Sequence, residues 1–259
     1  MGTYIPNEVV LGALKPIFTP SSKPESSKTA ALIQTLGLIP HVEGGYFCQT
    51  DEDVKTMPSP YPPGPLSGDE KSQAVASRPG YDDAVRRFST SIFYLLTHRQ
   101  PLGRFHRNRS RIIHALHRGR GRYVLLHPDG RLESFIVGRA VERGERLQWV
   151  VQGGVWKASY LLEAEDGAAE DVGATEPEGL LISETVVPGF EYADHEFLSE
   201  RRLGELLPEK DAAALSWLAR KGEEPEEPTD SSEESDAPDV NSGETVKIGE
   251  AVEINVIKA

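Results

Sequence analysis

Residues 104–137 read RFHRNRSRIIHALHRGRGRYVLLHPDGRLESFIV, and the reading of this stretch decides the fold. Three runs rich in β-branched and aromatic residues, Arg111 to His117, Tyr123 to His127 and Leu132 to Val137, are separated by glycine-bearing turns with no helical period between them. The clearest turn is His127-Pro128-Asp129-Gly130-Arg131, in which Asp-Gly supplies positive φ between two strands. On either side the same texture continues in Phe88 to Thr97, Arg104 to His106, Leu147 to Val151, Trp156 to Leu162 and Leu180 to Val187. Roughly eight short strands without intervening helices predict an all-β sandwich or jelly-roll barrel and exclude βαβ units.

Beyond the strands the pattern changes. Residues 1–26 form a lead without a sustained period, although Val9, Leu11, Leu14, Ile17 and Phe18 offer apolar surface to pack. Ala30, Ala31, Ile33 and Leu36 predict a short helix that Ser26 or Ser27 caps and Gly37 ends. Residues 51–83 hold Pro58, Pro60, Pro62, Pro63, Pro65 and Pro79 and predict an irregular insertion outside the core. After Pro188 the chain is expected to leave the sheet, with Leu203, Leu206, Leu207, Leu215 and Leu218 forming one or two terminal helices on the barrel. A domain over 27–220 is then followed by a tail, 221–259, too acidic and too poor in apolar residues to order itself.

That tail dominates the charge. The chain carries a formal net charge of −13, yet ten acidic residues and no basic one lie between Glu223 and Glu244, so the remainder is close to neutral. This balance argues against nucleic acid as a partner. No apolar run of membrane-spanning length and no secretory leader is visible, which predicts a soluble cytoplasmic protein with access to the nucleus and no membrane partner. Cys48 is the single cysteine and reads as small apolar filler.

Four segments in order, Ile39-Pro40-His41-Val42-Glu43-Gly44-Gly45-Tyr46-Phe47, Phe105-His106-Arg107 followed by Gly119, Val151-Gln152-Gly153-Gly154-Val155-Trp156, and Val187-Pro188-Gly189-Phe190, resemble the cupin-5 family of the RmlC-like cupin superfamily. The resemblance covers residues 27–218. It implies a double-stranded β-helix, the cupin jelly-roll barrel, with a closed small-molecule pocket and a homodimeric assembly. The superfamily hosts epimerases, decarboxylases, dioxygenases and storage proteins, so the fold leaves function open.

Metal-dependent cupins take ligands from His-x-His, a following Glu and a later His. Counting back from Gly119 puts the Glu place on Ile112 and the two His places on Asn108 and His106; the later His place falls on Lys157. Three of four ligands are missing, and a protonated Lys157 would repel a cation, so no metal and no other cofactor is expected. In metal-free epimerases of the superfamily a barrel His acts as general base, which points to His106, with Glu43 in support. If strand parity holds, Asn108 and His114 share the face of His106; His106 and His114 with Glu184 leave the alternative of a makeshift metal site, and Asn108, His114 and Glu184 are otherwise ligand-binding candidates. Arg104 and Lys157 are expected in the interior as partners for an anionic substrate group. Tyr46, Phe93, Tyr94, Trp149, Trp156 and Phe190 are expected as aromatic wall material of the pocket or core, with Tyr46 and Trp156 placed at the ligand. Two functions follow: a metal-independent isomerase or epimerase acting on a small polar carbonyl or sugar-like compound, or a non-catalytic ligand-binding or storage cupin.

Overall fold

The computed structural model describes residues 11, 14–16, 18–66, 81–163 and 179–221. The acidic tail from 222 onward lies outside them, as do residues 67–80 of the insertion.

Helix α1 (Ser27–Thr35) begins where Ser26 Oγ accepts the Thr29 amide, and it ends before Gly37, whose φ is 62°. Thirteen strands follow among the described residues: β1 (Ile39–Pro40), β2 (Tyr46–Glu52), β3 (Thr56–Pro58), β4 (Val85–Arg87), β5 (Thr90–Leu96), β6 (Leu102–Asn108), β7 (Arg111–Arg118), β8 (Gly121–Leu126), β9 (Leu132–Val137), β10 (Gln148–Val151), β11 (Trp156–Leu161), β12 (Leu180–Val187) and β13 (His195–Phe197). Helices α2 (Glu200–Leu206) and α3 (Glu209–Leu215) close the described fold. One antiparallel sheet has the order β1-β2-β5-β12-β7-β10 and the second β13-β6-β11-β8-β9, while β3 and β4 pair with each other. From β5 to β13 the chain crosses to the other sheet at every connection except the β8–β9 hairpin, which is the jelly-roll arrangement the strand runs predicted.

Alternation along the strands sorts side chains into three apolar layers. Tyr94, Leu96, Tyr123, Leu125, Phe135, Trp149, Leu161 and Ile182 fill the space between the two sheets. The opposite parity on the second sheet, Phe105, Val124, Leu126, Trp156 and Tyr160, packs under Leu203, Leu207, Leu215 and Leu218 from the terminal helices. On the first sheet the outward set, Tyr46, Leu95 and Leu181, is covered by Leu32, Ile33 and Leu36 of α1. The barrel is therefore sealed on both outer faces by helices that the sequence also predicted.

The β8–β9 turn follows the reading, with Gly130 at φ 82° and the His127 amide donating to the Arg131 carbonyl over 2.9 Å. Two expectations need correction. The insertion is not wholly irregular: Met57 lies opposite Arg86 in the β3–β4 pair, and Tyr61 donates its hydroxyl to Ser110. The reason is Arg86, whose side chain is fully buried and bonded through Nε to Asp194 Oδ2 at 2.7 Å. Nor does the chain leave the sheets after Pro188. Strand β13 returns to pair with β6, setting His195 opposite Asn108 and Phe197 opposite His106.

Candidate functional site

Between the sheets lies a cavity with an empty volume of about 180 Å³, lined by Glu43, Tyr94, His106, Tyr123, Lys157, Ala158, Ser159 and Glu184. Each polar wall has a backbone cause. His106 on β6 and Lys157 on β11 are cross-strand partners, so both point inward together. Glu184 on β12 stands opposite His114 on β7. Glu43 comes from the β1–β2 loop, which crosses the barrel because the Glu43 carbonyl accepts the Arg104 amide and the Gly44 carbonyl accepts the Tyr94 hydroxyl at 2.8 Å. That crossing requires glycine: Gly44 has φ 101°, and a Cβ there would collide with the Leu102 carbonyl oxygen.

Two polar groups of opposite character face each other. On one side Lys157 Nζ donates to Glu184 Oε2 at 2.6 Å and stands 3.1 Å from His114 Nε2. On the other, three imidazoles surround Glu43: His195 Nε2 at 2.9 Å from Oε1, His106 Nε2 at 3.2 Å and His41 Nδ1 at 3.5 Å from Oε2. Burial acts to raise the Glu43 pKa, but His106, His41 and His195 hold it well below the usual carboxylate range. Burial lowers His106 to about 3 despite the neighbouring carboxylate, so its ring is neutral at ordinary pH. Its Nδ1 is 2.8 Å from the Arg104 carbonyl, which only accepts, so the single ring proton sits on Nδ1 and the Nε2 lone pair faces the cavity. Burial, reinforced by Glu43 and Glu184, raises Tyr94 well above its ordinary value and keeps its hydroxyl protonated.

The predicted residues divide. His106, Glu43, Lys157 and Glu184 meet in the cavity. His114 lies behind Lys157, fully buried and stacked on Trp149 at 5.0 Å. Asn108 is buried at the end of β6, outside the cavity lining, with Oδ1 lacking a hydrogen-bond partner.

Arg104, Tyr46 and Trp156 are not pocket residues. Between β6 and β11 the register slips, with Lys157 opposite His106 but Ser159 opposite Gly103. This β-bulge inserts one residue and inverts the parity upstream, so Gly103 faces the Tyr94 and Ser159 hydroxyls while Arg104 turns outward to the Ala219 carbonyl. Tyr46 precedes the inward Phe47 by one residue, packs under α1 and donates to Glu25. Trp156, adjacent to the inward Lys157, faces the terminal helices, with Arg107 stacked 4.4 Å over its ring. Tyr94, one of the expected aromatic walls, does line the cavity, whereas Phe93, Trp149 and Phe190 do not; Tyr123, Ser159, His41 and His195 were missed. Alternation within 92–96 and 121–126 singles out the two tyrosines, whereas nothing local marks His195.

The buried histidines set a pH dependence. Burial first and Lys157 second push His114 well below its ordinary value. As pH falls through about 6.5 the unfolded chain takes up a proton that the folded His114 refuses. Its contribution is thus complete above that pH and lost below it, at about 1.4 kcal/mol per pH unit. The thermal midpoint is expected to fall between pH 7 and 5 and the slope to be shallower in His114→Gln; equal slopes in both proteins would refute this assignment.

A two-sheet jelly roll whose inner face carries a His–carboxylate cluster and a buried lysine defines a cupin with a polar cavity between its sheets. The chain belongs to the Cupin_5 family, described as Cupin superfamily (DUF985), whose model matches residues 30–198. It is 43% identical over 217 residues to "Uncharacterized protein YML079W" of Saccharomyces cerevisiae, covering 82% of this chain and 97% of that one. Among solved structures it resembles a hypothetical protein from Leishmania major, with 26% identity, a TM-score of 0.55, and 74% and 99% of the two chains covered. Protein SO0799 from Shewanella oneidensis shares the fold at 22% identity and a TM-score of 0.54, over 76% of this chain and all of the other. No helix among the described residues is long and apolar enough to cross a membrane.

Proposed function

We propose that the protein is an isomerase- or epimerase-type enzyme that moves a proton next to the carbonyl of a small polar compound. The observation carrying this reading is the pairing of His106 with Lys157 across adjacent strands, which aims a neutral imidazole and an ammonium into one cavity. In the proposed step the substrate C–H bond breaks and its proton goes to His106 Nε2. The electron pair moves onto the carbonyl oxygen, where Lys157 stabilises the enolate. Glu43, 3.2 Å away, stabilises the imidazolium as it forms. The hydroxyl of Tyr94 or Tyr123 returns a proton to carbon. The lining side chains leave scarcely room for a water molecule between them, so a substrate must be small and the walls must move to admit it, which favours a small oxo compound over a sugar nucleotide.

The test is hydrogen exchange. Chelator-treated protein is incubated in deuterated water with a panel of small 2-oxo acids and keto sugars, and deuterium at the carbon beside the carbonyl is read by mass spectrometry. Incorporation that is lost in His106→Gln is expected. Compounds that bind without exchanging, or exchange unchanged in that variant, would replace this reading with ligand storage.

A further inference from the structure

We propose that Glu43, His106 and His195 form a buried binding site for a divalent transition-metal ion of the zinc, cobalt or nickel type, which shares only His106 with the ligand positions counted along the sequence. The three residues come from the β1–β2 loop, β6 and β13, and one ligand atom of each lies within 4.8 Å of the others. All three are buried.

Two independent features point to a cation. The first is an electrostatic gap. His106 Nε2 has no hydrogen-bond partner, because its ring proton is on Nδ1 and its nearest neighbour at 3.2 Å is the lone-pair-bearing Glu43 Oε2. Two acceptors facing each other in a buried place leave a position that a positive charge fills. The second is spacing. Bonds of about 2.0–2.1 Å in tetrahedral geometry put donor atoms about 3.3–3.4 Å apart; here His195 Nε2 stands 2.9 Å from Glu43 Oε1 and His106 Nε2 3.2 Å from Glu43 Oε2, and one ligand atom from each of the three residues falls within 4.8 Å of the others.

The donor set suits such ions. Two imidazoles and one carboxylate leave a coordination position open for water or a substrate oxygen. His106 and His195 rings lie at 26° to each other with centroids 5.3 Å apart, and each presents Nε2 to Glu43. Phe197 packs against both rings, and Phe190 against His195, giving the site an apolar wall. The repulsion expected from Lys157 is offset, because its ammonium is paired with Glu184 at 2.6 Å. Binding requires the proton on His195 Nε2, now shared with Glu43, to move to Nδ1, which frees the Nε2 lone pair for the ion.

This site engages the same His106 Nε2 lone pair that the proton-transfer reading uses as base, so a bound ion would block that step, and the two are tested separately. The full chain, freed of metal by chelator dialysis, is titrated with Co²⁺ and followed by visible ligand-field absorption, and with Zn²⁺ by calorimetry. One ion per chain is expected, with intense absorption bands of low coordination number and a raised thermal midpoint. Affinity is expected to fall in Glu43→Gln and His195→Ala by more than the roughly 10–100-fold that loss of an outer hydrogen-bonding partner costs. His127→Ala, which removes a surface His–Glu pair, should bind as wild type. Glu43→Gln keeps the shape of the side chain, so it remains informative if His195→Ala fails to fold. No uptake at one equivalent, or uptake unchanged in Glu43→Gln, would overturn the site. Cobalt binding without metal-free exchange activity would sink the acid–base reading and leave the metal site standing; metal-free exchange without cobalt binding would do the reverse.

Discussion

Replacing Lys157 with Met is expected to destabilise the fold by about 3–5 kcal/mol at pH 7, because it strands Glu184 as an uncompensated buried charge. The side chains of the pair are 3% and 9% exposed and meet at 2.6 Å, so water does little to share the load. The paired variant Lys157→Met/Glu184→Leu should recover most of the loss, since a buried ion pair replaced by apolar groups of similar volume is often neutral or better, whereas a simple loss of packing would not be recovered by a second substitution. Urea denaturation at pH 7 reads both; a single variant within about 1 kcal/mol of wild type, or a double variant no better than the single, would contradict the account.

The second large effect lies at the join between the proline-rich segment and the barrel. Asp194→Ala is expected to cost at least as much, about 3–5 kcal/mol, and with no relief from pH. Arg86 is 1% exposed and meets Asp194 in a two-pronged contact, Nε to Oδ2 at 2.7 Å and Nη2 to Oδ1 at 3.1 Å. Burial opposes the charge on Arg86, but Asp194 overrides it and raises the guanidinium pKa further. Arginine does not shed its proton in proteins, so the variant has no neutral form to fall back on. Arg109 also approaches Asp194 Oδ1 at 3.4 Å and would lose that partner. Asp194→Asn keeps the shape and one acceptor oxygen, and should fall between the two. Chemical denaturation of the three proteins gives the order; an Asp194→Ala protein of wild-type stability would show that the contact adds nothing.

Much of this molecule is legible along the chain. Period-two alternation, glycine turns and the absence of helical spacing over 88–187 suffice for the jelly roll, and β9 and β12 have the bounds that their apolar runs suggest. The inward aim of His106, Lys157 and Glu184 follows from residue type and parity, and the crossing loop of Glu43 is announced by its glycines. What parity cannot carry is a change of count. A single extra residue in β6 inverts every side chain upstream of it, which sends Arg104 out and leaves Gly103 facing the cavity. The arrival of His195 at Glu43 is equally invisible, because the two are 152 residues apart and meet only when β13 pairs with β6. Local periodicity determined which strands form and which of their faces is apolar. Only the closing of one sheet on the other decided which polar side chains share a buried space, because that depends on long-range register, which no local stretch of sequence encodes.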